Sequence, residues 1–435
     1  MTNSLSNPNL YSRSPAGGSV LLPWIVCLSA ALFFFYEFIQ LHMFNSIEID
    51  IVKEFNVNAT VMGRLSSLYF ISNVLFLFPA GIILDRFSTR KVIITSLAIC
   101  VVGVLFLSKS TTLWFAMGSR FLTGIGSAFC FLSSIRLATR WFPPQRMALV
   151  AGLIVTIGMA GGYVAQAPIT WLTQQYGWRQ TLIYDVYLGV AILLIIAFTV
   201  RNYPRGTEPQ RAVKIPFWPA ARSSYLSLQN WLGGIYTSFM NLPIFLLGAL
   251  WGIPYLVQVH GFERYAASEI TGMLFIGTIM GSPLAGFISD ALGKRKLPML
   301  VGTVISLIIL LAIMFFPSTV EEGKLAMLMS LFFLLGLFTS TQVISYPAIT
   351  ESNPPQYAAM SVSVISICCI AGGGIFQPLF GWIMDLGKQP AASSHPVYAA
   401  SDYVNGMWLI VAAFIISFIA ALLLRETYSR LKSVD

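Results

Sequence analysis

Long apolar stretches constrain this chain more than any other feature of its sequence. The 435 residues contain twelve stretches of about 20 to 30 mostly apolar residues, separated by short polar segments. A helix of about 20 residues spans the roughly 30 Å hydrocarbon core of a bilayer. Only 10% of the residues are charged, against about 25% in soluble domains, which excludes a water-soluble enzyme and a disordered scaffold. The sequence therefore predicts an all-α polytopic membrane protein with twelve transmembrane helices.

The predicted spans place most basic residues on one side of the membrane. The spans are residues 22–44, 59–84, 91–108, 112–138, 145–173, 179–200, 230–257, 265–290, 296–316, 324–348, 357–383 and 403–425. With the N-terminus inside, 18 lysines and arginines lie inside and 7 lie outside. Because these residues concentrate in cytoplasmic loops, we expect both termini in the cytoplasm. The net charge of +9 is then an orientation signal, and no nucleic-acid partner is expected.

A proline-containing basic segment divides the spans into two groups of six. We predict an N-terminal tail (1–21), an N-terminal half (22–200), a linker (201–229), a C-terminal half (230–425) and a C-terminal tail (426–435). The five cysteines lie inside apolar stretches and the three histidines are scattered. No disulfide framework, metal site or other cofactor is therefore expected.

The two halves carry related motifs at a nearly constant spacing. Gly81 and Asp85, after the second span, correspond to Gly286 and Asp290, 205 residues later. Two further landmarks recur 211 residues apart: Pro-Pro-Gln at 143–145 and 354–356, and Ala-Gly-Gly with a following glutamine at 160–166 and 371–377. Three landmarks in the same order indicate an internal repeat.

These motifs resemble those of the major facilitator superfamily along the whole chain. The family signature Gly-x-x-x-Asp-Arg-x-Gly-Arg-Arg is matched imperfectly, with Ser88 in place of the glycine in the first copy and Ala291 in place of an arginine in the second. Arg120-Phe-Leu-Thr-Gly124 in the fourth span is similar to a second family motif. The resemblance implies two six-helix halves with a substrate site between them. Phe35-Tyr36-Glu37-Phe38 further resembles the phagosomal nutrient transporters of intracellular bacteria, which implies uptake of amino acids or nucleosides.

Each copy of the repeated motif combines a glycine, an aspartate at a helix end and nearby basic residues. We expect a cytoplasmic gate formed by Gly81, Asp85, Arg86, Arg90, Gly286, Asp290, Lys294 and Arg295. Carboxylates can cap a helix N-terminus or pair with arginine. If such contacts form only when the inner side is closed, they favour the outward-facing conformation. The alternative is that the basic residues only fix the orientation of the chain.

Three charged residues lie well inside predicted spans, where each costs about 2.5–3.5 kcal/mol on insertion scales. Glu37 and Arg120 lie in spans that line the cavity in the family, and we expect an ion pair in which Glu37 exchanges a proton. The alternative is a static structural pair. Asp185 is either a second proton site or a residue of an external vestibule.

Uncharged polar residues complete the candidate site. The substrate-binding candidates are Tyr36, Gln40, Gln166, Asn241, Gln342, Tyr346 and Gln377. Amide and phenol groups can recognise a polar organic solute without carrying a charge. The alternative for each is a hydrogen bond that holds helices together.

The leading hypothesis is a secondary active transporter of the bacterial inner membrane that takes up a small polar organic solute with protons. The expected partners are the solute, H⁺ and the lipid bilayer, and we expect a monomer. Export of a metabolite or drug is the first alternative, although the Gly-Pro pair common in the fifth span of exporters is absent. A non-transporting membrane sensor would normally carry a soluble domain, for which these loops are too short. The chain has no phosphate-binding loop of an ATP-driven pump and no catalytic motif of an intramembrane enzyme.

Overall fold

The computed structural model describes residues 21–143, 146–204, 217–317, 322–354, 357–387 and 398–427. All regular secondary structure within these ranges is helical. Most of the predicted tails and part of the linker, at 1–20, 205–216 and 428–435, lie outside the described residues, as do both Pro-Gln pairs at 144–145 and 355–356.

Eight helices form the N-terminal half. They are α1 (Leu21–His42), α2 (Phe44–Phe55), α3 (Ala59–Arg86), α4 (Thr89–Ser108), α5 (Leu113–Ser127), α6 (Cys130–Trp141), α7 (Met147–Val164) and α8 (Ala167–Thr199). Side-chain caps fix several starts: Asn58, Ser88 and Thr112 each accept a hydrogen bond from the first turn of the helix that follows.

The C-terminal half follows a short helix, α9 (Phe217–Tyr225). Its elements are α10 (Leu228–Met240), a π-helix (Ile244–Trp251), α11 (Gly252–His260), α12 (Arg264–Leu292), α13 (Lys296–Met314), α14 (Lys324–Thr339), a 3₁₀ helix (Ser340–Ile344), α15 (Ser345–Ser352), α16 (Ala358–Leu386) and α17 (Ala400–Leu423). We call the side that carries segments 87–88 and 293–295 the motif face, and the other side the opposite face.

The number of spans agrees with the sequence prediction. Eleven described segments are long and apolar enough to cross a membrane. One of them, Leu149–Thr199, has 51 residues, which at 1.5 Å per residue is more than twice the thickness of the hydrocarbon core. Gly177, with φ of 78°, breaks this segment inside α8. Its position falls between the predicted fifth and sixth spans, so twelve crossings result and the predicted fold class is confirmed.

Five predicted spans are not continuous helices: the fifth breaks at Ala165 and Gln166, and four others break at corresponding places in the two halves. The first span breaks at Met43, where α1 has ended and the separate helix α2 follows, and the fourth divides between Ser127 and Cys130. In the second half, the seventh span contains the π-helix and the tenth contains the 3₁₀ helix. In the repeat the first span corresponds to the seventh, and the fourth corresponds to the tenth. Interrupted helices are common where transporters bind their substrates.

Two glycine–phenylalanine contacts, related by the repeat, pack the halves together. A Cβ atom at Gly162 would lie 2.5 Å from the ring of Phe275, across the contact between α7 and α12. A Cβ atom at Gly373 would lie 2.3 Å from the ring of Phe70, across the contact between α16 and α3. Both positions therefore require glycine in this conformation.

Candidate functional site

A cavity of about 3240 Å³ lies between the two halves. Its deep end is lined by Glu37 from the N-terminal half and by Asn241 and Gln342 from the C-terminal half. Its other end is lined by Arg86 and Asp290, which belong to the repeated motifs. The cavity therefore extends from the middle of the bundle to the motif face.

Glu37 is the acidic residue at the deep end of the cavity. It projects from α1 and is 3% exposed. The hydroxyl of Tyr69 on α3 donates a hydrogen bond of 2.6 Å to its Oε1 atom. Its Oε2 atom is buried without a partner among the described residues. One carboxylate oxygen is thus held in place, and the other is free to take a proton or a hydrogen-bond donor.

Arg120 does not form the predicted ion pair with Glu37 among the contacts of the described residues. Its guanidinium donates a 2.9 Å hydrogen bond to the backbone oxygen of Gln40. It lies 4.1 Å from the ring centre of Phe44 and 4.7 Å from that of Tyr69. Since the same tyrosine bonds Glu37, we attribute the missing pair to Tyr69, which contacts both charged groups. Tyr69 thus contacts Glu37 through its hydroxyl and Arg120 through its ring.

Asp185 belongs to the interior of the N-terminal half. It is 3% exposed, and it accepts a 2.6 Å hydrogen bond from the side-chain amide of Gln40. Tyr36, the neighbour of Glu37, is fully buried. None of these three side chains lines the cavity that the structure describes. In this conformation Tyr36, Gln40 and Asp185 are therefore buried away from the cavity.

The C-terminal half contributes three predicted polar residues to the cavity wall. Asn241 ends α10 and precedes the π-helix, and its amide donates a 2.9 Å hydrogen bond to the backbone oxygen of Thr237. Gln342 lies in the 3₁₀ helix and Tyr346 at the start of α15. All three line the cavity. The interruptions of the seventh and tenth spans thus coincide with the side chains that face it.

Gln166 and Gln377, the pair related by the repeat, do not line the cavity. Gln166 donates a 2.8 Å hydrogen bond to the backbone oxygen of Gly248. Gln377 donates one of 2.9 Å to the backbone oxygen of Phe245. Both acceptors belong to the π-helix, so in this conformation the two glutamines bond its backbone and do not face the cavity.

Asn45, which the sequence analysis did not single out, lies between the halves beside these glutamines. Its amide nitrogen is 3.0 Å from the backbone oxygen of Leu247 and 2.8 Å from the Oε1 atom of Gln166. Its amide oxygen accepts a 2.9 Å hydrogen bond from the backbone nitrogen of Ile253. Thr271 donates a further 2.9 Å hydrogen bond from α12 to Gln166. These contacts join α2 and the start of α8 to the C-terminal half.

Ionic and polar contacts close the opposite face farther out. Arg264 on α12 forms a 2.7 Å ion pair with Asp50 on α2. Asp385 accepts hydrogen bonds from the backbone nitrogen of Thr60, at 2.9 Å, and from the hydroxyl of Tyr398, at 2.7 Å. The cavity is therefore open at the motif face and sealed from the opposite face.

The gate residues make contacts within their own halves. Arg90 donates 2.5 and 2.9 Å hydrogen bonds, from its guanidinium to the backbone oxygen of Ala197 and from its backbone to Asn202. Gly81 and Gly286 line the cavity, and a Cβ atom at either would meet nothing within 4 Å. Arg86 and Lys294 are exposed, and the side chain of Asp85 lies outside the described part of the chain.

Arg295 pairs with two carboxylates of the C-terminal half, at 2.6 Å from Asp290 and 2.7 Å from Glu351. Burial opposes the charged form of Arg295, but the hydrogen bonds of Glu351 and Asp290 hold its pKa above the ordinary value. Because this pair exists while the cavity is open at the motif face, it does not depend on closure of that face. The idea that all motif contacts form only on closure is therefore wrong for Asp290 and Arg295.

Two functional side chains escaped the sequence analysis for different reasons. Tyr69 is one of several aromatic residues in an apolar span, and nothing in its neighbourhood marks it as the partner of Glu37. Asn45 follows Phe44 near the end of the first span, and its amide in an apolar stretch was a detectable signal. Among the described residues no group of three or more His, Cys, Asp or Glu side chains is placed to hold a metal ion.

Comparisons with known proteins agree with this architecture. A sequence profile described as Major Facilitator Superfamily matches residues 26–273 and 237–434. The chain is 22% identical to a probable galactarate/D-glucarate transporter of Bacillus subtilis, covering 95% of this chain and 94% of the relative. It is 26% identical to a D-galactonate transporter of Escherichia coli, covering 76% and 81%. The crystal structure of a bacterial homologue of the human lysosomal transporter Spinster, inward-facing and unoccupied, superposes with a TM-score of 0.74 at 19% identity, covering 93% and 96%.

Proposed function

Because the chain belongs to the major facilitator superfamily, we propose that this membrane transporter takes up a small polar organic solute together with protons, by alternating access. The motif face is then the cytoplasmic face of the inner membrane, and both termini are cytoplasmic, as the distribution of lysine and arginine favours. The structure corresponds to the inward-facing conformation of the cycle. The observation that carries the proposal is the cavity between the halves, with an acidic residue on one wall and amides on the other.

The substrate class follows from the charges of the cavity wall. Arg86, Arg136 and Arg140 of the N-terminal half line the part of the cavity nearest the motif face. These guanidinium groups lie at the other end of the cavity from Asn241 and Gln342, so they would attract an anionic solute into the cavity rather than hold it at the amides. Both curated relatives described above are named for sugar acids. We therefore favour a solute with a carboxylate, a class that includes sugar acids and amino acids, over a nucleoside.

Asn241, Gln342 and Tyr346 would recognise the uncharged polar groups of such a solute. Gln342 has an amide oxygen that is buried without a partner among the described residues. An unsatisfied buried acceptor costs about 1–3 kcal/mol. A hydroxyl or amino group of the substrate that donates to it would remove this cost, which makes binding selective for solutes with donors.

Glu37 is the proposed site of proton coupling. It reaches the cavity, yet one of its oxygens has no partner, and an unpaired charge at this depth is costly. Asp185 is connected to the same region through Gln40 and Arg120, and we propose it as the second member of the proton network. Arg120 would link the two carboxylates through its contact with Gln40.

Uptake into proteoliposomes tests the proposal. The purified chain is reconstituted, and the uptake of radiolabelled galactarate, D-galactonate, amino acids and nucleosides is measured with and without an inward proton gradient. We expect accumulation of a carboxylate-bearing solute that depends on the gradient. The variant Glu54→Gln should retain this accumulation, because Glu54 pairs with Arg179 within the N-terminal half, away from the cavity. Efflux of hydrophobic dyes without accumulation of any nutrient would instead identify an exporter.

A further inference from the structure

Glu48 is a buried carboxylate for which the transport cycle described above has no use. It lies on α2, beyond the first spanning segment Leu21–His42, and it is 5% exposed. Helix α2 packs against the π-helix and α11 of the C-terminal half. Glu48 therefore lies in the part of the molecule where the two halves meet at the opposite face.

No hydrogen bond or ion pair to the Glu48 carboxylate is formed by the described residues, and its Oε2 atom is fully buried. The charged and titratable groups that interact with it are Asp50 on the same helix, Arg264 on α12, Tyr398 in front of α17 and Tyr403 within it. The one cation of this group, Arg264, pairs with Asp50 instead. Two carboxylates thus compete for one guanidinium, and Glu48 is the one left without it.

An isolated buried carboxylate is far less costly when it is neutral. Burial raises the pKa of Glu48 to about 8, Arg264 lowers it in part, and Asp50 adds to the rise. When the opposite face opens, α2 separates from the C-terminal half and water reaches the carboxylate. Its pKa then returns toward the ordinary value of about 4.3, and the group ionises at neutral pH.

We propose that Glu48 is a proton-binding site of the opposite-face gate, occupied when this face is closed and empty when it is open. The proton enters from and returns to the same side of the membrane, so it does not drive transport. Proton binding at Glu48 makes closure of the opposite face depend on the pH outside. This role of Glu48 depends neither on proton coupling at Glu37 nor on the identity of the substrate.

The sign of the pH dependence follows from linkage. A group whose pKa is higher in the closed conformation favours that conformation as the pH falls. Between the pKa of the open form and that of the closed form, one bound proton changes the ratio of closed to open molecules by up to about tenfold per pH unit. Acidic conditions outside therefore favour the conformation that is open to the motif face.

Distances between spin labels across the opposite face test the proposal. Labels are placed at Lys109→Cys and Glu263→Cys, which are exposed on the two halves, in a cysteine-free chain in lipid nanodiscs between pH 5.5 and 8.5. The background carries Glu37→Gln, so that the cavity carboxylate does not contribute. We expect the open population to grow by several-fold per pH unit in this background. Adding Glu48→Gln should keep the face closed at every pH.

Glu54→Gln is the matched control, since Glu54 lies on the same helix but pairs with Arg179 of its own half. This variant should keep the full pH dependence. An equal pH dependence with Glu48→Gln and with Glu54→Gln would overturn the proposal. If Glu48→Gln does not fold, Glu48→Asp retains a titrating group and must retain the dependence, and a flat response there would also overturn it.

Discussion

Replacement of Asn45 by aspartate should open the opposite face. The change preserves the size of the side chain and the oxygen that accepts from Ile253, but it replaces the amide nitrogen that lies near Leu247 O and Gln166 Oε1. Only the contact with Leu247 O joins the two halves, because Gln166 belongs to the N-terminal half like Asn45. Losing this hydrogen bond costs about 0.5–1.5 kcal/mol, and the ionised oxygen that then faces the carbonyl of Leu247 adds to this.

The resulting destabilisation of the closed face is about 1–3 kcal/mol. At about 1.4 kcal/mol per factor of ten, the ratio of closed to open molecules falls roughly 5- to 140-fold. Thr271→Val, which removes only the 2.9 Å contact with Gln166, should lower the ratio about fivefold. Asn45→Asp should have the larger effect, because it also places an ionised oxygen against Leu247 O. General destabilisation of the fold does not predict this order.

The assay is labelling of single cysteines placed in the closed interface, read separately from each side of the membrane, with label distances as a second measure. Asn230→Asp is the matched control. Asn230 is also fully buried, and it donates a 2.9 Å hydrogen bond to Ser224 O and accepts one of 2.7 Å from Asn353. None of these partners belongs to the N-terminal half. Equal labelling of the Asn45→Asp and Asn230→Asp variants would refute the role of Asn45 in closure.

Four further variants test proton coupling, the packing of Arg120 and the close contact at Gly373. Glu37→Gln should still exchange substrate across the membrane but fail to concentrate it, and full proton-driven accumulation in the same vesicles would remove Glu37 from the coupling step. Arg120→Ala should lower the free energy of unfolding by about 2–5 kcal/mol, because the truncated side chain leaves a cavity. Arg120→Met should recover most of this stability but not transport. Thermal unfolding and uptake, measured on both variants, would show this difference. Gly373→Val places atoms against the ring of Phe70, 2.3 Å from the position of a Cβ. It should reduce the population with this interface packed, and unchanged label distances would contradict that expectation.

Much of the architecture follows from the sequence because it depends on local and periodic signals. Apolar length gives the twelve spans, and the spacing of Gly81 and Gly286 reveals the two halves. The interruptions could not be predicted in this way. The π-helix carries no proline or glycine run that marks it, and its free carbonyl groups are satisfied by amides from distant spans, among them Asn45 and Gln377. Such a backbone conformation is set by tertiary contacts rather than by local preference.

The candidate site was likewise predictable from the sequence only in part. A polar group inside an apolar span is visible in the sequence, so Glu37, Arg120 and Asp185 were detectable, but their partners were not. Whether such a group meets the substrate or a neighbouring helix depends on rotation about the helix axis and on what lies opposite. Gln166 illustrates the difficulty, since its mirrored position in the repeat favoured a binding role, yet its amide bonds a backbone carbonyl. The resemblance to the phagosomal nutrient transporters stays a prediction.

The repeat also indicates which contacts set the preference between conformations. Gly162 packs on Phe275 and Gly373 packs on Phe70 at positions related by the repeat. These apolar contacts therefore do not distinguish one half from the other. The amide contacts are not symmetric: Gln166 reaches across to the other half, whereas Gln377 bonds the π-helix of its own half. Apolar packing can be replaced by other apolar packing when the halves rotate, but a buried amide that loses its partner costs about 1–3 kcal/mol. We therefore expect the balance between the two open conformations to respond more strongly to changes at Gln166 than at Gln377.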